Sequence, residues 1–212
     1  MKELAAGSGA ARTGRPVVLV VLAHPDQHSL NGAVAAAVVA ELQRAGAEAL
    51  LHDLYRDGFD PRLVTSELGR APVQFADELT ARYAHDLVRA DAFVIVHPVW
   101  FFHVPAILKG WVDRVVREGV AFELSAEGSV RGLLRARSAL VITSANTSPA
   151  TEASAFGAPL DTFWRTVVFG PAGVREVERL ALTPVRGSDE AVRAAWLSEA
   201  ASAAARLVGS LG

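Results

Sequence analysis

The sequence predicts an α/β domain in which a parallel sheet is covered by helices on both faces. The run Val17–Leu22 is apolar and largely β-branched, which is typical of a strand that is buried on both faces of such a sheet. Similar runs alternate with helix-like segments along the chain, and neither a repeat nor a linker separates them. The chain has 212 residues, of which 51% are hydrophobic, enough for the core of one domain.

The elements follow one another in a regular order. The predicted strands are Pro16–Ala23, Glu48–Leu54, Ala92–His97, Ser138–Thr143 and Val174–Leu182. The predicted helices are Leu30–Ala45, Asp77–Arg89, one with Pro105 in its first turn, Leu160–Val168 and Asp189–Val208. The longer predicted loops are Tyr55–Gln74, Gly119–Leu134 and Ser144–Gly157. Residues 16–212 therefore form one domain, and we expect the small and polar segment 1–15 to be a disordered tail.

Helix ends carry local signals. Ser29 is a suitable N-cap for the first helix, and Gly46 is a suitable end for it. Pro105 fits a first helical turn, where its missing N–H costs nothing.

Composition excludes several classes of function. The net charge is −2 with no block of like charge, so we expect neither nucleic-acid binding nor a polybasic membrane patch. The chain has no cysteine, which excludes disulfides, thiolate catalysis and cysteine-ligated metals. No apolar run reaches transmembrane length and no signal-peptide core is present, so we expect a cytoplasmic protein without stable membrane insertion.

The polar loop after the first strand predicts an anion site. A strand–loop–helix order directs the free N–H groups and the dipole of the helix at this loop. The side chains or N–H groups that we expect to bind a phosphate there belong to His24, His28, Ser29, Leu30 and Asn31. The loop has no glycine, so it is neither a Walker loop nor a Gly-x-Gly fingerprint.

Two other interpretations of this loop are open. His24, Asp26 and His28 offer three metal ligands, and zinc N-deacetylases carry Ala-His-Pro-Asp-Asp after a buried strand. Those enzymes need a second Asp, where this chain has Gln27, and a later His-x-x-His pair, which is absent. We therefore predict no metal. In a purely structural interpretation, Ser29 only caps the helix and the histidines face solvent.

An aromatic loop follows the third strand. Trp100-Phe101-Phe102 is too apolar for an open loop, so it forms either core, a subunit interface or a wall for a flat ring. We favour the wall, with backbone N–H groups facing the polar edge of the ring. His97 ends a buried strand and is expected to be a satisfied core residue. Lys109 and Asp113 are four residues apart and can pair, and with Arg114 they orient the helix or meet a second subunit.

Taken together, the segments Ala23–Asn31 and Val104–Val115 resemble the flavodoxin-like NAD(P)H:quinone reductases, the DT-diaphorase and modulator-of-drug-activity group. That family carries Ala-His-Pro-x-x-x-Ser-x-Asn and Val-Pro-Ala-x-Leu-Lys-Gly-Trp-x-Asp-Arg-Val at these places. The resemblance covers Pro16 to Leu182. It implies a flavodoxin-like three-layer sandwich with a five-stranded parallel sheet.

The resemblance also implies a function. It implies an enzyme that binds FAD, with FMN as the alternative, and takes hydride from NADPH or NADH. The acceptor is a quinone or a similar flat molecule, reduced by two electrons in a ping-pong reaction. We also expect a homodimer, because the aromatic loop lies beside a helix ending in Trp111, Val112 and Val115, and such an apolar patch rarely stays open on a soluble monomer. The flavin contacts that the resemblance implies are His24, His28, Ser29, Leu30, Asn31, Pro98, Val99, Trp100, Phe101, Phe102, Thr143, Ser144 and Asn146.

The chain departs from the family at two places. The family has Thr-Thr-Gly-Gly after the fourth strand, where this chain has Thr143-Ser144-Ala145-Asn146. The DT-diaphorase branch then supplies a Tyr and a His, where this chain has Glu152 and Phe156. Phe102, His103 and Phe156 are the substrate contacts that we expect, and the departures favour a larger, stacked acceptor over simple benzoquinones.

Two other classes of function remain as alternatives. A flavodoxin-type electron carrier has a Thr/Ser-rich phosphate loop and a strongly acidic surface, and this chain has neither. A flavin-binding regulatory subunit of a membrane transport system is the second alternative, because some relatives bind and activate potassium-efflux channels.

Overall fold

The structure is a computed structural model that describes residues 14–68 and 73–211. The strands are β1 Val17–Leu22, β2 Glu48–Asp53, β3 Ala92–Pro98, β4 Phe122–Leu124, β5 Val130–Gly132, β6 Ser138–Ser144 and β7 Glu176–Leu182. The helices are α1 Leu30–Arg44, α2 Glu78–Arg89, α3 Ala106–Val115, α4 Pro149–Phe156, α5 Pro159–Asp161, α6 Gly170–Ala172 and α7 Glu190–Gly209. Of the predicted tail 1–15, residues 1–13 lie outside the described residues.

Five parallel strands form the main sheet, as predicted, and their order is β2-β1-β3-β6-β7. Every residue of β1 and of β3 is buried, which explains why both strands are continuous apolar runs. The order of the strands reverses between β1 and β3. Doubly wound sheets bind their ligands at the carboxyl ends of the strands beside such a reversal.

Alternate side chains of β1 define two apolar layers. Val18 and Val20 pack with α1 and α7 on one face of the sheet. Leu19 and Val21 face the opposite layer, which contains residues of α2, α3 and the segment Thr162–Phe169. The three-layer sandwich is thereby confirmed. Among the described residues, no helix is long and apolar enough to cross a membrane.

The predicted loop Ser144–Gly157 is wrong in its second half, which forms α4. Ser148 caps this helix by accepting the N–H of Thr151, and Pro149 occupies its first turn. The helix has eight residues and a single buried side chain, so it carries no strong apolar periodicity. The N-cap Ser148, followed by Pro149, is the local sequence signal that marks the start of this helix.

Two other predictions need correction. The helix predicted over Leu160–Val168 is part of a longer helical stretch, in which the π-helical segment Thr162–Phe169 connects α5 to α6. Wide helical turns of this kind often occur at functional sites. The segment Gly119–Leu134 contains the antiparallel hairpin of β4 and β5.

Arg114 anchors the long segment between β2 and α2. Its guanidinium is buried and makes paired hydrogen bonds of 2.9 and 2.8 Å to Glu67. It also donates to Asp77 at 2.6 Å. The predicted pair of Lys109 and Asp113 is confirmed at 2.6 Å on the exposed face of the same helix. Arg114 therefore positions α3, as the sequence suggested.

Candidate functional site

Three loops converge at the carboxyl edge of the sheet. They follow β1, β3 and β6, whose ends are neighbours in the strand order. The sequence prediction placed all of its binding residues on these loops or at their ends.

The loop after β1 is closed by hydrogen bonds to Asp26. The Asp26 carboxylate accepts the N–H of His28 at 2.8 Å, and its carbonyl accepts the N–H of Ser29 at 3.2 Å. The N–H of Asp26 donates to His24 Nδ1 at 3.0 Å, and the same ring nitrogen lies 3.1 Å from the Asp26 carbonyl, so the loop backbone holds the imidazole in place. The N–H groups of His28 and Ser29 are therefore already used within the loop.

The free donors of this loop lie at the start of α1. Ser29 Oγ caps the helix by accepting the N–H of Gly32 at 3.1 Å, so the capping role is confirmed. Its own hydroxyl proton can still donate outward. The N–H groups of Leu30 and Asn31 have no intrahelical partner, because they belong to the first turn. These three donors and His24 Nε2 can hold a phosphate.

Asn31 does not face the loop as the sequence predicted. Its side chain is 4% exposed, and its Nδ2 donates to Ser144 Oγ at 2.9 Å. The ends of β1 and β6 lie at one edge of the sheet, so the two side chains meet there. Asn31 therefore ties α1 to the third loop, and only its backbone N–H is free for a ligand.

The aromatic loop is a tight turn that holds two unpaired N–H groups. Trp100 and His103 exchange two backbone hydrogen bonds, each of 3.0 Å. Phe101 and Phe102 lie between them with φ of 49° and 58°. This left-handed conformation costs about 1–3 kcal/mol for a residue other than glycine. The N–H groups of both phenylalanines have no acceptor in the described part of the chain.

The side chains of this loop form an aromatic surface. Phe101 is fully exposed and Trp100 is 42% exposed. Phe102 packs on Phe156 of α4 with ring centroids 3.9 Å apart. The sequence predicted Phe102, Phe156 and His103 as neighbouring substrate contacts. The structure brings the first two together, and the His103 ring packs edge-on against Phe163 at 4.7 Å.

Pro98 and Val99 support the turn. The Val99 N–H donates to the Ser144 carbonyl at 2.9 Å, so it is not available to a ligand. The Pro98 carbonyl accepts the Nδ1–H of His97 at 2.8 Å. These two residues thus fix the direction from which the chain enters the turn.

His97 is buried and fully paired, as predicted for a core histidine. Trp164 of the π-helical segment donates its Nε1–H to His97 Nε2 at 3.2 Å. Burial lowers the pKa of His97 from 6.5 to about 4, although the hydrogen bond to Pro98 acts in the opposite direction. The imidazole is therefore neutral near pH 7 and links the π-helical segment to the aromatic loop.

The free N–H groups of the third loop lie further along the chain than predicted. Thr143 and Ser144 belong to β6, whose residues pair with β3 and β7. The Ala145 N–H donates to the Leu182 carbonyl at 3.1 Å. Asn146 Oδ1 accepts the N–H of Arg186 at 2.7 Å, which holds the loop against the connection between β7 and α7. Within the described ranges, the backbone N–H groups of Asn146 and Thr147 have no partner.

Sequence reasoning missed Arg179. This residue of β7 is nearly buried and forms an ion pair with Glu152 at 2.7 Å. An arginine in an edge strand carries no sequence signal that distinguishes it from an ordinary solvated charge.

The described residues contain no group of three or more His, Cys, Asp or Glu side chains that could hold a metal. His24 and Asp26 instead bond to each other through the loop backbone.

Aromatic rings, unpaired N–H groups above two strand ends and the start of α1 thus meet at the carboxyl edge of a doubly wound α/β sheet. Residues 17–207 match a family that is described as having a flavodoxin-like fold, and the chain belongs to this family. The fold prediction is thereby confirmed.

Curated relatives include quinone reductases. The chain is 35% identical over 141 residues to ribosyldihydronicotinamide dehydrogenase (quinone) of Pongo abelii, with 58% of this chain and 61% of that protein covered. It is 36% identical over 125 residues to NAD(P)H dehydrogenase (quinone) 1 of Cavia porcellus, with 51% and 46% covered. The chain thus spans about half the length of the curated relatives that it matches.

A solved structure agrees over nearly the whole domain. NAD(P)H:quinone oxidoreductase from Methanothermobacter marburgensis superposes with a TM-score of 0.79 at 26% identity. The superposition covers 92% of this chain and 98% of that one. The resemblance to quinone reductases that the motifs indicated is thereby confirmed.

Proposed function

We propose that the three loops bind a flavin and that the protein is an NAD(P)H-dependent oxidoreductase acting on quinones or similar flat acceptors. The observation that carries this proposal is the turn at Phe101 and Phe102. Two successive N–H groups point away from all described acceptors, and both residues are held in an unfavourable backbone conformation. Strain of this kind persists where the surrounding structure enforces it, and it concentrates at ligand sites.

The residues fit a flavin at each of its parts. The start of α1, with Ser29 and the N–H groups of Leu30 and Asn31, suits the phosphate. The exposed rings of Trp100 and Phe101 supply a wall for a flat ring system. The N–H groups of Phe101, Phe102, Asn146 and Thr147 supply fixed dipoles for its polar edge.

When bound, the flavin supplies the chemistry by accepting hydride from a nicotinamide and passing it to the acceptor. The chain contributes position and electrostatics. Fixed N–H dipoles stabilise the negative charge of the reduced ring without reorganising, because the turn is already formed. A flat ring stacked on the aromatic wall would be shielded from water on that side, which would strengthen these dipoles.

The identity of the flavin and of its reaction partners is carried over from the resemblance. We propose FAD, with FMN as the alternative, NADPH or NADH as the donor, and a cytoplasmic homodimer. The names of the curated relatives support a quinone-like acceptor. An aromatic surface as exposed as Trp100 and Phe101 supports a dimer, because such patches are usually covered.

We propose that Phe102, Phe156 and His103 contact the acceptor. The side chains of Phe102 and Phe156, which pack at an interplanar angle of 33°, offer no hydrogen-bond donor to a quinone oxygen. A larger acceptor that stacks on these rings is therefore favoured over a small benzoquinone. If donor and acceptor occupy the same site in turn, as the resemblance implies, the reaction follows a ping-pong order.

The absorption spectrum of the purified protein and its steady-state kinetics test the proposal. We expect a bound flavin, oxidation of NADH or NADPH, and parallel double-reciprocal plots at several acceptor concentrations. A protein that takes up neither FAD nor FMN contradicts the proposal. A flavin-loaded protein that oxidises no NAD(P)H with quinone, azo or nitroaromatic acceptors favours the regulatory subunit instead.

A further inference from the structure

A buried ion pair lies beneath the third loop. The side chains of Arg179 in β7 and Glu152 in α4 are 7% and 4% exposed. Arg179 Nη2 lies 2.7 Å from Glu152 Oε2, and Nη1 lies 3.1 Å from Oε1, so the pair is joined by two parallel hydrogen bonds. The proposed function gives this pair no role.

Arg179 also contacts the loop itself. Its Nε donates to Thr143 Oγ1 at 3.3 Å. Thr143 and Glu152 stand on the two sides of the segment that carries the unpaired N–H groups of Asn146 and Thr147. Arg179 therefore holds both ends of this segment at once.

The charges around Arg179 are balanced within the protein. Its second carboxylate partner, Asp161, lies 3.3 Å from Nη1 and is 36% exposed, so water screens it. The buried charges of Arg179 and Glu152 are screened far less. Buried pairs of this kind often add little stability compared with apolar side chains of similar size. We therefore consider their electrostatic effect on the neighbouring third loop rather than their contribution to the stability of the fold.

We propose that Arg179 and Glu152 are a positioning pair of the flavin site. The pair holds the third loop in place, and its balance of charge sets how tightly the reduced flavin binds relative to the oxidised flavin. This inference rests on the proposed function, because it needs a flavin at that loop. It goes further by assigning a role to residues that touch neither the flavin nor the acceptor.

Charge-changing variants separate this role from simple support of the fold. Glu152→Gln removes one negative charge, so it favours the anionic reduced flavin. A unit charge roughly 10 Å away alters binding by about tenfold at the effective dielectric constant near a protein surface. A tenfold change in the ratio of the affinities for reduced and oxidised flavin corresponds to a rise of about 30 mV in the potential of a two-electron couple. Arg179→Gln shifts the ratio in the opposite direction, and the double variant, which restores the original net charge, returns it close to the wild-type value.

The ratio is measured by anaerobic redox titration of the flavin-loaded protein against a dye of known potential, with free flavin as the reference. Glu178→Gln is the matched control, since Glu178 is the neighbour of Arg179 in β7 and forms an exposed pair with Arg206 at 3.3 Å. We expect no shift for this control. If Arg179→Gln does not fold, Glu152→Gln and the double variant still carry the comparison.

The outcomes distinguish this inference from the proposed function. A Glu152→Gln variant whose potential equals that of Glu178→Gln overturns the inference while the flavin site stands. An equal loss of affinity for both redox states, without a change in their ratio, also overturns it. A wild-type protein that binds no flavin overturns the proposed function and this inference together.

Discussion

Ser29 combines two tasks at the start of α1. Its Oγ accepts the N–H of Gly32 and so stabilises the helix, while its hydroxyl proton remains free to donate to an anion. A Ser29→Ala variant loses both, so a fall in flavin affinity would be confounded by a cap loss of about 1 kcal/mol. Substitutions that keep the N-cap but change the charge separate helix capping from anion binding.

We predict that Ser29→Asp retains the stability of the protein and weakens flavin binding by at least tenfold. Asp caps helices as well as Ser, but its carboxylate repels a phosphate and cannot donate to it. One charge-assisted hydrogen bond contributes about 1.5–3 kcal/mol, which sets the expected scale. Ser29→Asn is the control, because Asn caps without a charge. Equal flavin affinity for the Asp and Asn variants, measured by fluorescence titration, would contradict a phosphate at this helix start.

At the scale of elements, α3 and the segment before α2 are held together by one buried group. Arg114 reaches Glu67 and Asp77, and Gly110 lets the helix approach the backbone of Pro61 closely, since a Cβ there would clash with it. Hydrogen bonds to Arg114 also lower the pKa of the Glu67 carboxyl against the opposing effect of burial. The ion pair thus fixes the C-terminal end of α3 against the segment before α2.

Arg114→Met is expected to lower the free energy of unfolding by about 3–5 kcal/mol, because it leaves Glu67 buried without its partner. Lys109→Met on the same helix breaks only the exposed pair with Asp113 and is expected to cost at most about 1 kcal/mol. Urea unfolding of both variants measures the difference. If both variants lose the same free energy of unfolding, the burial of the Arg114 ion pair does not determine its contribution to stability.

The elements that could be predicted from the sequence are those in which apolar burial dominates. All five strands of the sheet were found: the inner strands β1, β3 and β6 are buried on both faces and are nearly continuous apolar runs, whereas the edge strands β2 and β7 are only partly buried. Helix α4 was missed because it buries a single side chain. The turn at Phe101 and Phe102 was placed correctly, but its left-handed backbone was not foreseen, since neither residue favours it.

The parts of the site that could not be predicted are side chains whose hydrogen-bond partners lie far away in the sequence. Asn31 was expected to face a phosphate, and it bonds instead to Ser144, which is 113 residues away. Arg179 and Glu152 are 27 residues apart on different elements. Their partners follow from the three-dimensional arrangement and leave no local pattern in the sequence.

At the scale of the whole molecule, the fold encloses two neutral histidines. His97 is paired at both ring nitrogens, whereas His52 of β2 is stacked on Tyr83 with its Nδ1 buried and without a partner. Burial lowers the pKa of His52 from 6.5 to about 4, although Asp86 acts in the opposite direction through a hydrogen bond of 3.2 Å. Both imidazoles therefore bind a proton more readily in the unfolded chain.

This difference makes stability depend on pH. Because the folded pKa of each histidine lies below the unfolded value, the contribution is complete above about pH 6.5 and is lost as the pH falls toward about 4. One pKa unit corresponds to about 1.4 kcal/mol, so His52 alone accounts for roughly 2–3 kcal/mol between pH 7.5 and pH 4.5. The carboxylates whose pKa values are lowered also contribute at the acid end of this range, so a variant of His52 is needed to isolate its share.

We predict that the free energy of unfolding of His52→Phe, relative to that of the wild type, rises by this amount as the pH is lowered from 7.5 to 4.5. Phe keeps the stack on Tyr83 and has no site to protonate, so its stability lacks the contribution of the imidazole. Urea unfolding at pH 7.5, 5.5 and 4.5 gives the difference between variant and wild type at each pH. A constant difference between His52→Phe and the wild type across this range would mean that His52 becomes charged as easily inside the fold as outside it, in conflict with a buried ring nitrogen that has no acceptor.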